Sequence, residues 1–340
     1  MKKYISSILL CILSIFFMTV CTTKDYAKMT FYDKAHNGYY LNILINGDSI
    51  SSTGNESDWC NLVIKRLKES NKISSVHNIS LGGNASFSGI VNFSQNLPND
   101  GSVYDLIFLC YGQNDVDDAE FPVMYESLVR NTIETYPRAQ IISILESSQK
   151  DYTNKIKTVM KICEYYNIPY VDMIAGFKNS GYEYSDLTND GIHPNRLGNQ
   201  VYYENVNKTI DDCLNKKKRS KLPKKTLYEK YISMNQLEYI TIDDLINDHG
   251  VYKLNIESPY NISYLAIDRN YCPGEYSTIA LINDSQYDLS YGWNQTFEQR
   301  HIDILNRQDI SLEKFELKCD EHTLKTINGI VIVKEESRNN

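Results

Sequence analysis

Ile43-Leu44-Ile45-Asn46-Gly47-Asp48-Ser49-Ile50 is an apolar, β-branched run that stops abruptly at Gly-Asp-Ser. Such a run predicts a buried strand that climbs to the edge of a sheet, turns on a small residue and leaves one hydroxyl at the rim. Ligands of open α/β sheets bind beyond the carboxyl ends of the strands, so Ser49 is a candidate for chemistry. A single Gly-Asp-Ser arises readily by chance. Its meaning depends on what accompanies it along the chain.

Downstream, Trp59, Leu62, Val63, Arg66 and Leu67 fall at helical spacing, with Asp58 near the start. Residues 76–81 predict a strand running into Gly82-Gly83, and 104–111 another running into Gly112-Gln113-Asn114-Asp115. Pro122 opens a helix that stops before Tyr136-Pro137, and 140–145 predicts a strand. Ile156, Val159, Met160 and Cys163 mark a helix, 169–174 a strand, and Tyr202, Val206, Ile210 and Cys213 a last helix. Short strands alternating with longer helices imply crossovers and a parallel sheet covered on both faces, a three-layer α/β sandwich.

Three strands thus end in turns built from Gly47-Asp48-Ser49, Gly82-Gly83-Asn84 and Gly112-Gln113-Asn114-Asp115. A parallel sheet brings all three to one edge. A fourth stretch, Asp190-Gly191-Ile192-His193-Pro194, precedes the last helix and spaces an acid and an imidazole for a hydrogen bond. Each has a plain structural reading: Ser49 as a helix cap, Gly82-Gly83 as a turn, Asn114-Asp115 as an Asx turn, and Asp190 as a cap for the helix after Pro194. Their coincidence at strand ends favours a joint role. No Gly-x-Ser-x-Gly elbow is present.

On these four blocks, in this order, residues 39–213 resemble the SGNH, or GDSL-type, serine esterase family. The resemblance implies a flavodoxin-like SGNH hydrolase fold with Ser49 as nucleophile, His193 as general base and Asp190 orienting the imidazole. It implies oxyanion donors at the Ser49 N–H, the Gly83 N–H and the Asn114 side chain. Gly83 is taken over Gly82 by its spacing from Asn78. Chemistry agrees with these roles. A serine hydroxyl attacks only when a base takes its proton, an imidazole accepts and returns protons near neutral pH, and a carboxylate fixes its tautomer.

The chain has 340 residues, 42% of them apolar, which allows two domains with separate cores. A net charge of −8 argues against a nucleic-acid partner. Met1-Lys2-Lys3 followed by the apolar run 8–20 predicts an export signal, too short to span a bilayer. Met18-Thr19-Val20-Cys21 resembles a lipobox, departing from it at Val20. Residues 1–21 therefore read as a signal peptide or lipoprotein signal, with an uncut anchor as the alternative. An exported location follows, extracellular or at the cell surface, with lipid anchoring at Cys21 as one form of it. Of the eight cysteines, Cys110 and Cys163 read as core residues, and Cys272 and Cys319 as possible partners. No cysteine or histidine spacing suggests a metal, and no cofactor is expected.

The expected division is a linker over 22–38, the hydrolase domain over 39–215, a basic, solvated linker over 216–228 and a small β-sandwich over 229–340. Strand candidates in the last are 251–256, 262–267, 277–282 and 327–333. Trp293 and nearby tyrosines read as sandwich core or as a sugar-stacking surface. The expected activity is removal of a short acyl group, most naturally acetyl, from carbohydrate. Alternatives are lipase or lysophospholipase activity, O-acetyl transfer from the same acyl-enzyme, and a non-catalytic glycan-binding surface protein.

Overall fold

The computed structural model describes residues 28–52 and 54–335; the stretch read as an export signal, with Cys21, lies outside the described residues. Helix α1 (Phe31–His36) occupies a segment expected to be linker. Thr30 and Asp33 close a reciprocal capping box at its start, which satisfies donors that a short helix otherwise leaves open. Phe31 is buried, and Lys34 forms a buried ion pair with Asp105 at 2.7 Å. The segment is thereby fixed to the sheet.

Strands β1 (Leu41–Gly47), β2 (Ile73–Asn78), β3 (Leu106–Cys110), β4 (Gln140–Leu145) and β5 (Tyr170–Asp172) make a parallel sheet in the order β2-β1-β3-β4-β5. That is the flavodoxin-like order, and its direction reverses between β1 and β3. Alternate residues bury opposite faces. Ile43, Ile45, Leu106 and Phe108 pack with α2 (Trp59–Ser70) and α7 (Arg196–Asn215). Leu44, Ile107, Leu109 and Ile141 pack with α3 (Ser86–Gln95), α4 (Glu120–Thr135) and α5 (Asn154–Tyr166). Each such side chain contributes about 1.5–3 kcal/mol on burial. β5 ends sooner than the pattern suggested, because Asp172 leaves the strand to cap α6 (Met173–Lys178), accepting from the Ala175 N–H at 2.9 Å.

The C-terminal region is a β-sandwich. One sheet runs β12 (Ser285–Asp288), β11 (Thr278–Ile282), β16 (Phe315–Cys319), β8 (Val251–Lys253), β7 (Ile246–Asp248). The other runs β14 (Gln299–Asn306), β9 (Tyr260–Tyr271), β17 (Ile327–Lys334), β6 (Leu237–Thr241), with β15 (Ile310–Leu312) beside β9. Leu265, Ile267, Ile330 and Ile332 face the first sheet across the sandwich core. The intervening Tyr264, Ala266, Val331 and Val333 face the other way, into one core with α3 and α4. The central strands β9 and β17 are therefore buried on both sides, which explains the unbroken apolar run Ile330-Val331-Ile332-Val333. Cys272 and Cys319 are not bonded to each other.

The basic run differs from the solvated linker expected of it. Its lysine side chains are exposed, but its backbone is strapped down. The Lys221 N–H donates to the Tyr166 carbonyl at 2.8 Å, Arg130 donates to the Pro223 carbonyl at 3.0 Å, and the Tyr228 N–H donates to Glu126 at 2.8 Å.

Candidate active site

Gly47 ends β1 where it crowds β3. A Cβ there would lie 2.6 Å from the Cys110 carbonyl oxygen, so only glycine fits. The chain then turns: the Asp48 N–H donates to the Cys110 carbonyl, and Asp48 Oδ1 accepts from the Ile50 N–H at 2.9 Å. The turn lifts Ser49 to the carboxyl edge of the sheet, beside the point where strand order reverses.

His193 arrives from the loop before α7. Its Nε2 lies 2.8 Å from Ser49 Oγ, and its Nδ1 lies 2.7 Å from Asp190 Oδ2. A carboxylate only accepts, so Nδ1 carries the proton and Nε2 offers a lone pair to the serine hydroxyl. Asp190 Oδ1 also accepts from the N–H groups of Ile192 and His193, at 2.9 and 2.8 Å. Those bonds, from His193 above all, hold the Asp190 carboxyl well below the usual carboxylate range. The sequence-predicted trio is thus one hydrogen-bonded chain, open to solvent on the imidazole side.

The predicted donors lie on neighbouring turns: a Cβ at Gly82 would fall 3.7 Å from Ser49 Cβ, and Asn114 reaches Asp48, the residue before Ser49. Gly83 takes φ +70°, a conformation that favours glycine. Among the described residues, none accepts a hydrogen bond from the backbone N–H of Ser49 or of Gly83. The Asn114 amide is engaged: Nδ2 donates to the Asn84 carbonyl at 3.1 Å and to Asp48 Oδ2 at 3.2 Å. Its loop is pinned from behind by Lys155, whose ammonium donates to the carbonyls of Gly112 at 2.6 Å and Asp115 at 2.7 Å. Asp115 in turn accepts from the Ser86 N–H at 2.9 Å, at the first residue of α3.

Directly behind the turn lie Asp48, Cys110 and Glu146, with their donor atoms within 4.8 Å of one another. Burial pushes Asp48 well above the carboxylate range and Glu146 up to about 7, and it also raises the Cys110 thiol. They form a buried, proton-sharing floor, with the Cys110 thiol 3.4 Å from Glu146 Oε1.

Sequence reasoning missed Asn84, Gln299 and His301. The Asn84 carboxamide is held at both ends by β14, Nδ2 donating to the Arg300 carbonyl at 2.7 Å and Oδ1 accepting from the Ile302 N–H at 3.2 Å. The other two lie on the glycine turn: a Cβ at Gly83 would fall 2.5 Å from His301 Cε1 and 2.9 Å from Gln299 Nε2. The position of Asn84 inside the glycine block was the available signal for that residue; nothing local flagged the pair on β14.

Residues 45–201 match the model of the GDSL-like lipase/acylhydrolase family. No curated protein matches the chain. Among solved structures, a two-domain esterase (CEX) active on acetylated mannans, co-crystallised with mannopentaose, aligns with a TM-score of 0.68 at 16% identity, covering 89% of this chain and 94% of that one. Another structure described as that two-domain esterase gives 0.67 at 16% identity with the same coverage. The acetyl xylan esterase AlAXEase gives 0.43 at 16% identity, covering 50% of this chain and 100% of that one. At such identities the mannan-esterase likeness shows a shared fold, and it extends over both domains.

Proposed function

Residues 45–201 form a domain of the GDSL-like lipase/acylhydrolase family, which makes this chain a carboxylic ester hydrolase, and on that premise we propose that it removes acetyl groups from carbohydrate through Ser49, His193 and Asp190. The observation that carries the reading is the unbroken path from Asp190 through His193 to Ser49 Oγ.

In this mechanism Ser49 Oγ attacks the acyl carbon as its proton passes to His193 Nε2. Negative charge grows on the former carbonyl oxygen, where the N–H groups of Ser49 and Gly83 receive it, joined by the Asn114 amide as it exchanges its bond to Asp48 Oδ2 for one to the oxyanion. The C–O bond to the sugar then breaks, and the imidazolium returns its proton to the departing alkoxide. Water, deprotonated by the same imidazole, releases acetate from the acyl-serine. Asp190 keeps the ring in the tautomer this needs and stabilises its charged form.

The carbohydrate part draws on the two-domain likeness to an esterase that acts on acetylated mannans. Export, with or without a lipid on Cys21, belongs to the same proposal and is supported by the basic-then-apolar order of residues 1–21. No helix among the described residues is long and apolar enough to cross a membrane. The test is acetate release from acetylated mannan, acetylated xylan and 4-nitrophenyl esters of increasing chain length. Preference for acetyl over long chains supports the reading; preference for long chains replaces it with a lipase.

A further inference from the structure

β14 approaches the glycine turn with two alternate side chains, Gln299 and His301. A Cβ at Gly82 would meet Gln299 Nε2 at 2.5 Å and Ser49 Cβ at 3.7 Å. The carboxamide therefore lies across the Gly82–Gly83 peptide, on the side of the nucleophilic turn. Its amide makes no hydrogen bond with another described residue. His301 Nε2 is buried and likewise without a partner among the described residues. Burial disfavours protonation of this ring, so Nε2 is a neutral donor or acceptor.

The imidazole is held edge-on by Tyr271, with centroids 4.7 Å apart, and next to it stands Trp293 at 6.4 Å. The Trp293 indole N–H donates to the Phe297 carbonyl at 2.6 Å, which orients a half-exposed ring beside the exposed Phe297 side chain. A buried polar atom without a partner is destabilising unless something satisfies it. An acetyl group has one polar atom, and Ser49, Gly83 and Asn114 already serve it. Two further polar groups beside an aromatic ledge match the alcohol half of the ester, which in a sugar carries adjacent hydroxyls and an apolar ring face.

We propose that Gln299 and His301 form a subsite for the sugar that leaves, the Gln299 carboxamide and His301 Nε2 hydrogen-bonding its hydroxyls while Ser49 attacks the ester. The subsite rests on the carbohydrate reading above and adds a second domain to it: specificity comes from the sandwich, chemistry from the α/β sheet.

The measurement is the ratio of kcat/KM on acetylated mannan to kcat/KM on 4-nitrophenyl acetate, whose leaving group has no sugar hydroxyls. Gln299→Ala, and His301→Phe which keeps a ring against Tyr271, should each lower that ratio by about tenfold, the size of one lost hydrogen bond. Mannopentaose should also inhibit 4-nitrophenyl acetate hydrolysis more weakly in both variants than in wild type. Thermal unfolding verifies that each variant is folded. A ratio that neither substitution moves, in folded protein, overturns the subsite. Wild-type enzyme that cleaves 4-nitrophenyl acetate but no acetylated polysaccharide overturns the substrate reading itself, before any variant is made.

Discussion

The carbonyl of Asn84 accepts from the side-chain amide of Asn114 at 3.1 Å, while the carboxamide of Asn84 is gripped by β14. A strand of the sandwich is thus two hydrogen bonds away from the donor proposed to face the oxyanion. Asn84→Ala keeps that carbonyl but removes the grip that positions it, and should lower kcat on 4-nitrophenyl acetate by about tenfold with little change in KM, since small misplacements of catalytic groups cost up to about 10² in rate. A change confined to KM would argue that Asn84 matters for binding instead.

Asn114→Ala removes a donor outright. The expected loss in kcat is on the order of 10²–10³. Steady-state kinetics with an activated acetyl ester, where sugar contacts do not enter, measures it. Full activity in this variant would leave only the two backbone groups as the hole.

Ser49→Ala should abolish turnover in a folded protein, and a fluorophosphonate should label wild type but not the variant. Asp190→Asn keeps the loop but permits the wrong ring tautomer, for a loss on the order of 10⁴ in kcat. Retained hydrolysis by the serine variant refutes the nucleophile assignment.

Stability should fall as pH rises from about 4 to about 7. Burial raises Glu146 to about 7 and Asp115 to about 6, and lifts Asp48 well above its ordinary range. In the unfolded chain such carboxyls titrate near ~4. Between those values the folded state holds protons that the unfolded state has released, so each step up in pH favours unfolding. Asp190 has the opposite sign, its folded pKa being depressed; its contribution is lost only below the ordinary carboxylate range, outside this window. Melting curves across the window should show the slope, and Glu146→Gln should flatten it. A midpoint that climbs toward about pH 7 contradicts the proton-sharing floor.

Much of the α/β domain is legible in sequence because its information is local. The strand runs are apolar, the turns that follow carry the chemistry, and parallel pairing alone puts Ser49 and Asn114 at one edge. His193 is legible through its spacing from Asp190. Asn84 and β14 are not, because their bond joins residues 216 apart and both ends on β14 are backbone atoms. Side-chain patterns say which face of β14 is buried, not what its peptide groups touch. The basic run misleads for the same reason: its lysines do face solvent, while its carbonyls and N–H groups are tied down. Glu146, just past β4, is fully buried, and nothing local in the sequence marks it as such. α1 was hidden by its shortness, although Thr30 and Asp33 spell its cap.

The central strands β9 and β17 of the second sheet are buried on both sides: the sandwich covers one and α3 and α4 the other. The consequence is that the sandwich is not a detachable module. Cutting the chain between the halves would strip an apolar wall from each and loosen the turn that carries Gly83. The halves should melt together as a single thermodynamic body, with no hinge between them about which one could swing away from the other.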